Sequence, residues 1–194
     1  MEELDKIDWK NTALIVVDVQ NDFCPGGTLA VPNGHEVIPH ANRLINLAVA
    51  HGCPVLFSRD LHPEDTPHFN KWPRHCIQDT FGSLLHRDLA IPTEAVIHYI
   101  DKGMGDEDAY SAFEGYIRHD FSVDSVPDVY LQGQGIQHLV VCGLATDYCV
   151  KETVLDGLVH GYYVTLVRDA CRGVTPETTQ VALIEMEKYG AKIL

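Results

Sequence analysis

A thiol, an ammonium and a carboxylate each stand where an apolar run of this chain stops. Cys149 lies just beyond Val140-Val141-Cys142-Gly143-Leu144, Lys102 follows Tyr99-Ile100-Asp101 and precedes Gly103, and Asp18 closes Leu14-Ile15-Val16-Val17. A cysteine in the first turn of a helix meets N–H groups without internal partners and the positive end of the helix dipole. A thiolate and an oxyanion are both stabilised there. A carboxylate at the end of an apolar run needs a partner or a raised pKa, and either makes it a candidate general base. Taken singly, each residue has a plainer reading: a small buried hydrophobe, a loop-capping acid, a solvated lysine. Taken together they are a nucleophile, a proton carrier and a charge stabiliser from three separate strand ends.

A second constellation follows the next strand, from Asp60 through His62 and His68 to His75. In extended chain Asp60 and His62 point the same way, because side chains alternate with period two, and two more imidazoles arrive within one loop. Mixed oxygen and nitrogen donors suit Zn, Fe(II) or Mn, and the lack of thiolate in the set argues against a closed structural zinc site. A polar surface loop is the other reading. Some motif-like stretches carry no chemistry. His35-Glu36-Val37-Ile38-Pro39-His40 has one residue too many for a metalloprotease pair, and the glycines at 103, 105, 133 and 135 form no dinucleotide fingerprint.

These residues need elements to bring them together. Branched apolar runs predict strands at Ala13–Val19, Pro54–Arg59, Ala95–Ile100, His138–Gly143 and Tyr162–Val167, with a sixth at Ala191–Leu194. Helical patterns fall at His35–Ala50, Val126–Gln132, Thr146–Val159 and Pro176–Tyr189, each bounded by Gly, Pro or a capping residue. Such alternation predicts an α/β fold with a parallel sheet covered by helices on both faces, and ligands bound at the carboxyl ends of the strands where their order reverses.

Composition narrows the partners. The 194 residues fit one domain spanning 1–194. A formal charge of -14, from 28 acidic against 14 basic residues with no basic run, argues against nucleic acid and anionic membranes. A small neutral or cationic partner fits better. The acidic start Met1-Glu2-Glu3-Leu4-Asp5-Lys6 has no apolar signal core and no stretch is long enough to span a membrane, which sets the expectation of a cytoplasmic protein. Six cysteines without regular spacing are expected to be reduced. The oligomeric state is left open between monomer and homo-oligomer.

Asp18 in V-D-V-Q-N-D-F, Lys102 before glycine, and Cys149 in C-G-L-A-T-D-Y-C-V resemble the Asp, Lys and Cys triad of the isochorismatase-like cysteine hydrolases. Asp60-x-His62, the later W-P-R-H-C and Tyr110-Ser-Ala-Phe-Glu114-Gly are similar to the nicotinamidase/pyrazinamidase branch. The resemblance implies a three-layer α/β/α domain with a six-stranded parallel sheet of order 3-2-1-4-5-6. It implies that Asp18, Lys102 and Cys149 are catalytic, with a cis peptide between Leu144 and Ala145 and an oxyanion hole from the Ala145 and Cys149 N–H groups. One divalent metal, zinc foremost with Fe or Mn as alternatives, would sit on Asp60, His62 and His75, with His68 a ligand only in some members. Phe23, Trp72, Tyr110 and Ala145 would border nicotinamide, the implied substrate, on its way to nicotinate and ammonia; pyrazinamide would follow. Asp79 departs from the family pattern after the metal loop. The alternatives are another amidase of the superfamily or a catalytically silent metal-binding protein on the same fold.

Overall fold

The computed structural model describes residues 7–118 and 125–194; the hexapeptide Met1 to Lys6 lies outside them. Its central strands are runs that no aqueous surface would tolerate. β1 (Thr12–Val17) is buried at every position, as is β5 (His138–Leu144) from Leu139 onward, and the two pair in parallel from Thr12↔His138 to Val17↔Gly143. Gly143 is required at the end of that pairing: its φ is +124°, and a Cβ there would lie 2.1 Å from the Val17 carbonyl oxygen. Close approach of β1 and β5 brings the segments after them to one place.

β2 (Val55–Asp60) and β3 (Ile97–Lys102) extend the sheet on one side, with Asp60 opposite Lys102. On the other side run β6 (Tyr163–Arg172) and a short β7 (Lys192–Ile193), both parallel to their neighbours. Helix α1 (Val37–Ala50) buries Val37, Ile38, Ala41, Leu44, Ile45 and Ala48, the 3-4 spacing of a single apolar stripe, against the sheet. Helices α2 (Pro127–Gly133), α3 (Lys151–Val159) and α4 (Pro176–Lys188) complete the set, α4 opening on Thr175, whose side chain accepts from the Thr178 N–H.

Two expectations need correction. The sheet has seven strands rather than six and is not wholly parallel. A two-residue strand β4 (Tyr116–Ile117) pairs antiparallel with β3 at one edge, giving the order β4-β3-β2-β1-β5-β6-β7. Two residues carry no readable periodicity, so the alternation of strands and helices passes over it. The stretch from Thr146 to Val159 is also not one regular helix. It starts as a wide turn over Thr146–Val150, in which the Tyr148 and Val150 N–H groups share the Ala145 carbonyl at 3.1 Å each and Tyr148 leaves helical geometry (φ -129°, ψ -107°); α3 begins at Lys151. Among the described residues no helix is long and apolar enough to cross a membrane.

Candidate active site

Strand ends β1, β2, β3 and β5 meet at the carboxyl edge of the sheet, where order reverses between β1 and β5. Asp18 stands one residue past β1 with φ 45° and is fully buried. Ser58 of β2 donates to its Oδ1 at 2.6 Å, and Lys102 Nζ lies 3.0 Å from its Oδ2. The ammonium of Lys102 also donates to Asp60 Oδ1 at 2.7 Å, to the Ala109 carbonyl at 3.1 Å and to Cys149 Sγ at 3.5 Å. The sulfur, amine and carboxylate from distant parts of the chain therefore converge, joined by a second carboxylate, Asp60. One buried cation serves two buried anions.

Electrostatics separates the two acids. Burial pushes the Asp18 pKa upward, opposed by Lys102 and reinforced by the nearby Asp60. Burial acts on Asp60 too, but Lys102, His62 and His75 together hold it well below the usual carboxylate range. Lys102 is held well above its ordinary value because Asp18, Asp60 and Cys149 outweigh its desolvation. For Cys149 the sequence reading of a stabilised thiolate changes. Burial outweighs Lys102, and its pKa is raised, so the resting form is a thiol beside a proton-hungry carboxylate.

Asp60 turns its other oxygen toward the histidines. Its Oδ2 lies 3.3 Å from His62 Nε2 and 3.6 Å from His75 Nε2. The side chains of His62, His68 and His75 offer donor atoms that all lie within 4.8 Å of one another. His62 Nδ1 sits 3.0 Å from the Gly103 carbonyl, His75 Nδ1 2.7 Å from the Pro73 carbonyl, and His68 Nδ1 2.7 Å from Asp108. A carbonyl only accepts, so Nδ1 of His62 and of His75 carries a proton there, and Nε2 is the ring atom each turns to the interior. His62 Nε2 and His68 Nε2 are buried without a hydrogen-bond partner. Imidazole nitrogens gathered next to a carboxylate fit a divalent cation, and the site needs a glycine at 103. A Cβ there would stand 2.7 Å from His62 Cε1 and 3.1 Å from Asp60 Oδ1.

A cavity of about 100 Å³ opens between the two groups, walled by Phe23, Leu29, Val31, Trp72, Tyr110 and Tyr148, with Ala145, Cys149, Asp60, His68 and His75 also lining it. Its mainly aromatic and apolar lining suits a small flat molecule. Trp72 Nε1 donates to Tyr110 Oη at 3.0 Å, and Trp72 meets Tyr148 edge-on at 5.2 Å, which fixes the aromatic wall. The Leu144–Ala145 peptide at its floor is cis.

Sequence reasoning passed over several contributors. Gln20 pairs with both main-chain groups of Asp60, its Nε2 on the carbonyl and its Oε1 on the N–H, each at 2.8 Å. Spacing held a hint, since Gln20 stands two residues beyond Asp18. Ser58 and Asp108 have no sequence signature, and Tyr148 stands in the Cys149 motif without an assigned role; only the fold gives them partners.

Fold and site together define a doubly wound α/β protein with a thiol, an ammonium and two carboxylates at the sheet's carboxyl edge, beside a three-histidine cradle. The particular family is set by comparison: the Isochorismatase domain matches residues 12–194, and the chain belongs to the isochorismatase family. It is 39% identical to the nicotinamidase of Escherichia coli (strain K12), covering 93% of each chain. It is 33% identical to the nicotinamidase/pyrazinamidase of Mycobacterium tuberculosis (strain ATCC 25618 / H37Rv), covering 94% of this chain and 97% of that one. Its fold is similar to that of the pyrazinamidase of Pyrococcus horikoshii in complex with zinc, with a TM-score of 0.83, 40% identity, and 95% and 98% of the two chains covered.

Proposed function

We propose that this chain is a nicotinamidase, a single catalytic domain with helices on both faces of its sheet, which hydrolyses nicotinamide and pyrazinamide to the carboxylic acid and ammonia through a thioester on Cys149. The observation that carries the reading is the placement of Asp60, one oxygen on the ammonium that reaches Asp18 and Cys149, the other facing the histidines. A nucleophilic centre and a ring-anchoring centre then share one wall of an aromatic-lined cavity. Relatives named for nicotinamide and pyrazinamide hydrolysis support the substrate class.

Asp18 takes the Cys149 proton as sulfur attacks the amide carbon. The oxygen of the tetrahedral adduct is received by the Ala145 and Cys149 N–H groups; one such donor is typically worth about 3 kcal/mol. Asp18 returns the proton to nitrogen as the C–N bond breaks and ammonia leaves. It then deprotonates a water, which attacks the thioester and releases the acid, and the thiol is restored. Lys102 balances charge throughout, since whichever of Asp18 and Cys149 is ionised lies within its reach. A divalent cation on Asp60, His62, His75 and His68, zinc first among Zn, Fe and Mn, would offer a coordination position to the ring nitrogen. Phe23, Trp72 and Tyr110 confine the ring and exclude water.

The first test is ammonia release from nicotinamide with other primary amides in competition. Preferred turnover of nicotinamide is expected; no turnover of it, or preference for a non-aromatic amide, would overturn the assignment. Asp60→Ala or His62→Ala should lose bound metal and raise KM, and full activity in protein verified to be metal-free would refute the anchoring role. A pH profile supplies another check. Asp18 must be ionised to accept the thiol proton, and its raised pKa places the acidic fall of kcat/KM above the ordinary carboxylate value of 3.8. Below that limb activity should drop about tenfold per pH unit; a profile flat down to the ordinary carboxylate range would remove Asp18 from the role.

A further inference from the structure

His68 differs from the other two histidines in what holds it. Its Nδ1 is not set by a backbone carbonyl of a neighbouring turn. It reaches 2.7 Å to the carboxylate of Asp108, which arrives on the loop after β3 that also carries Ala109 and Tyr110. The other oxygen of Asp108 takes Lys71 Nζ at 2.5 Å. His68 itself rides on a one-turn helix, Pro67–Asn70, whose only side-chain cap is the Thr66 hydroxyl accepting the His68 N–H at 3.3 Å. Besides Asp108 the ring has a stacked contact with His62, centroids 4.2 Å apart at 17°, and an edge contact with Phe69; neither gives Nδ1 an acceptor, and so short a helix supplies little order of its own.

Exposure separates the two partners of Asp108. The side chain of His68 is 4% exposed and that of Asp108 22%, whereas Lys71 is 67% exposed. A contact between an exposed lysine and a carboxylate is screened and weak, but a buried imidazole with an unpartnered inward nitrogen has the direction of its Nδ1 bond set by the one acceptor it meets. The carboxylate also makes the imidazole a stronger donor than a carbonyl would. The same loop grips the same segment a second time through Trp72 Nε1 and Tyr110 Oη, so the cradle and the cavity wall are tied to one another.

Resting on the reading of His62, His68 and His75 as a cation cradle, we infer that Asp108 is a positioning residue that fixes His68 as the fourth protein ligand. It does so by clamping the loop after β3 onto the segment 66–72. Asp108 touches neither the reacting atoms nor the cation; it acts through His68.

The test is the affinity of the full-length protein for Zn²⁺, measured by competition with a chromophoric chelator, with the visible spectrum of the Co²⁺-loaded form as a second readout. Asp108→Ala is expected to weaken Zn²⁺ binding by about 10- to 100-fold. It should also alter the Co²⁺ spectrum and raise KM more than it lowers kcat. Asp108→Asn keeps an acceptor for the His68 N–H and should recover most of the affinity. Lys71→Ala should change affinity far less than Asp108→Ala, and the metal-free variants should melt with the parent, since the substitutions lie on surface loops. Parental Zn²⁺ affinity and an unchanged Co²⁺ spectrum in Asp108→Ala would overturn the inference, as would an equal loss in Lys71→Ala. If the parent chain takes up neither Zn²⁺ nor Co²⁺, the cation cradle itself is wrong and this role falls with it.

Discussion

Cys149→Ala is expected to reduce ammonia release to background while the protein still folds and binds nicotinate. Removing the nucleophile of a cooperating catalytic group costs on the order of 10⁶ in kcat, because the partners have nothing to activate. Here that dependence is strict. Asp18 and Lys102 face Cys149 from β1 and β3, and among the described residues the cavity lining offers no second thiol or hydroxyl nucleophile besides the Tyr110 and Tyr148 phenols. The fold should not notice. Cys149 is a small residue, its sulfur is held mainly by the Lys102 ammonium, and the Ala145 carbonyl, whose bonds shape the wide turn, is untouched. Titration calorimetry with nicotinate beside an ammonia assay checks both halves. Turnover retained by the alanine variant would rule out the thioester route.

Lys102→Met should have the opposite distribution of effects, striking stability as hard as activity. The ammonium is completely buried between Asp18, also completely buried, and Asp60, whose side chain is 6% exposed. Removing one member of a buried ionic cluster leaves uncompensated charge and costs about 3–5 kcal/mol. That is a large share of the roughly 5–15 kcal/mol that keeps a domain folded. Asp18 Oδ2 already lacks a hydrogen-bond partner, and without Lys102 it would have no counter-charge either, so one carboxylate must take up a proton on folding. Guanidinium unfolding of the metal-free protein at neutral pH should show a sharply lowered midpoint. An unchanged midpoint would mean the cluster is wetter and less strained than its burial implies. Stability near the parent's for Cys149→Ala and far below it for Lys102→Met is therefore the signature of this site.

Much of this arrangement could be read from residue order because the buried strands are chemically extreme. Val16-Val17-Asp18 and Tyr99-Ile100-Asp101-Lys102 each pass from branched or aromatic apolar side chains to charge within a few residues, and the charged residues land at the carboxyl edge of the sheet. The boundary of β3 shifts two residues onward to include Lys102, since its pairing with Asp60 of β2 continues that far. What escaped is of two kinds. Elements of two or three residues, such as Tyr116–Ile117, have no period to detect, and the wide turn at Thr146–Val150 uses the same residues a regular helix would. Supporting side chains such as Ser58, Asp108 and Tyr148 are ordinary in type and acquire a task only through neighbours about 40 residues or more distant in the chain. The protonation of Cys149 belongs here too. A helix start argues for a thiolate, but the depth at which the fold sets that sulfur reverses the balance.

The most direct measurement is ammonia release from nicotinamide by protein of known metal content, before and after alkylation, with the modified residue located by mass spectrometry. Expected is loss of turnover in step with modification of Cys149, at unchanged metal content, and protection of the thiol by nicotinate. Full turnover by protein alkylated at Cys149 would contradict the convergence of sulfur, acid and amine as the reacting centre.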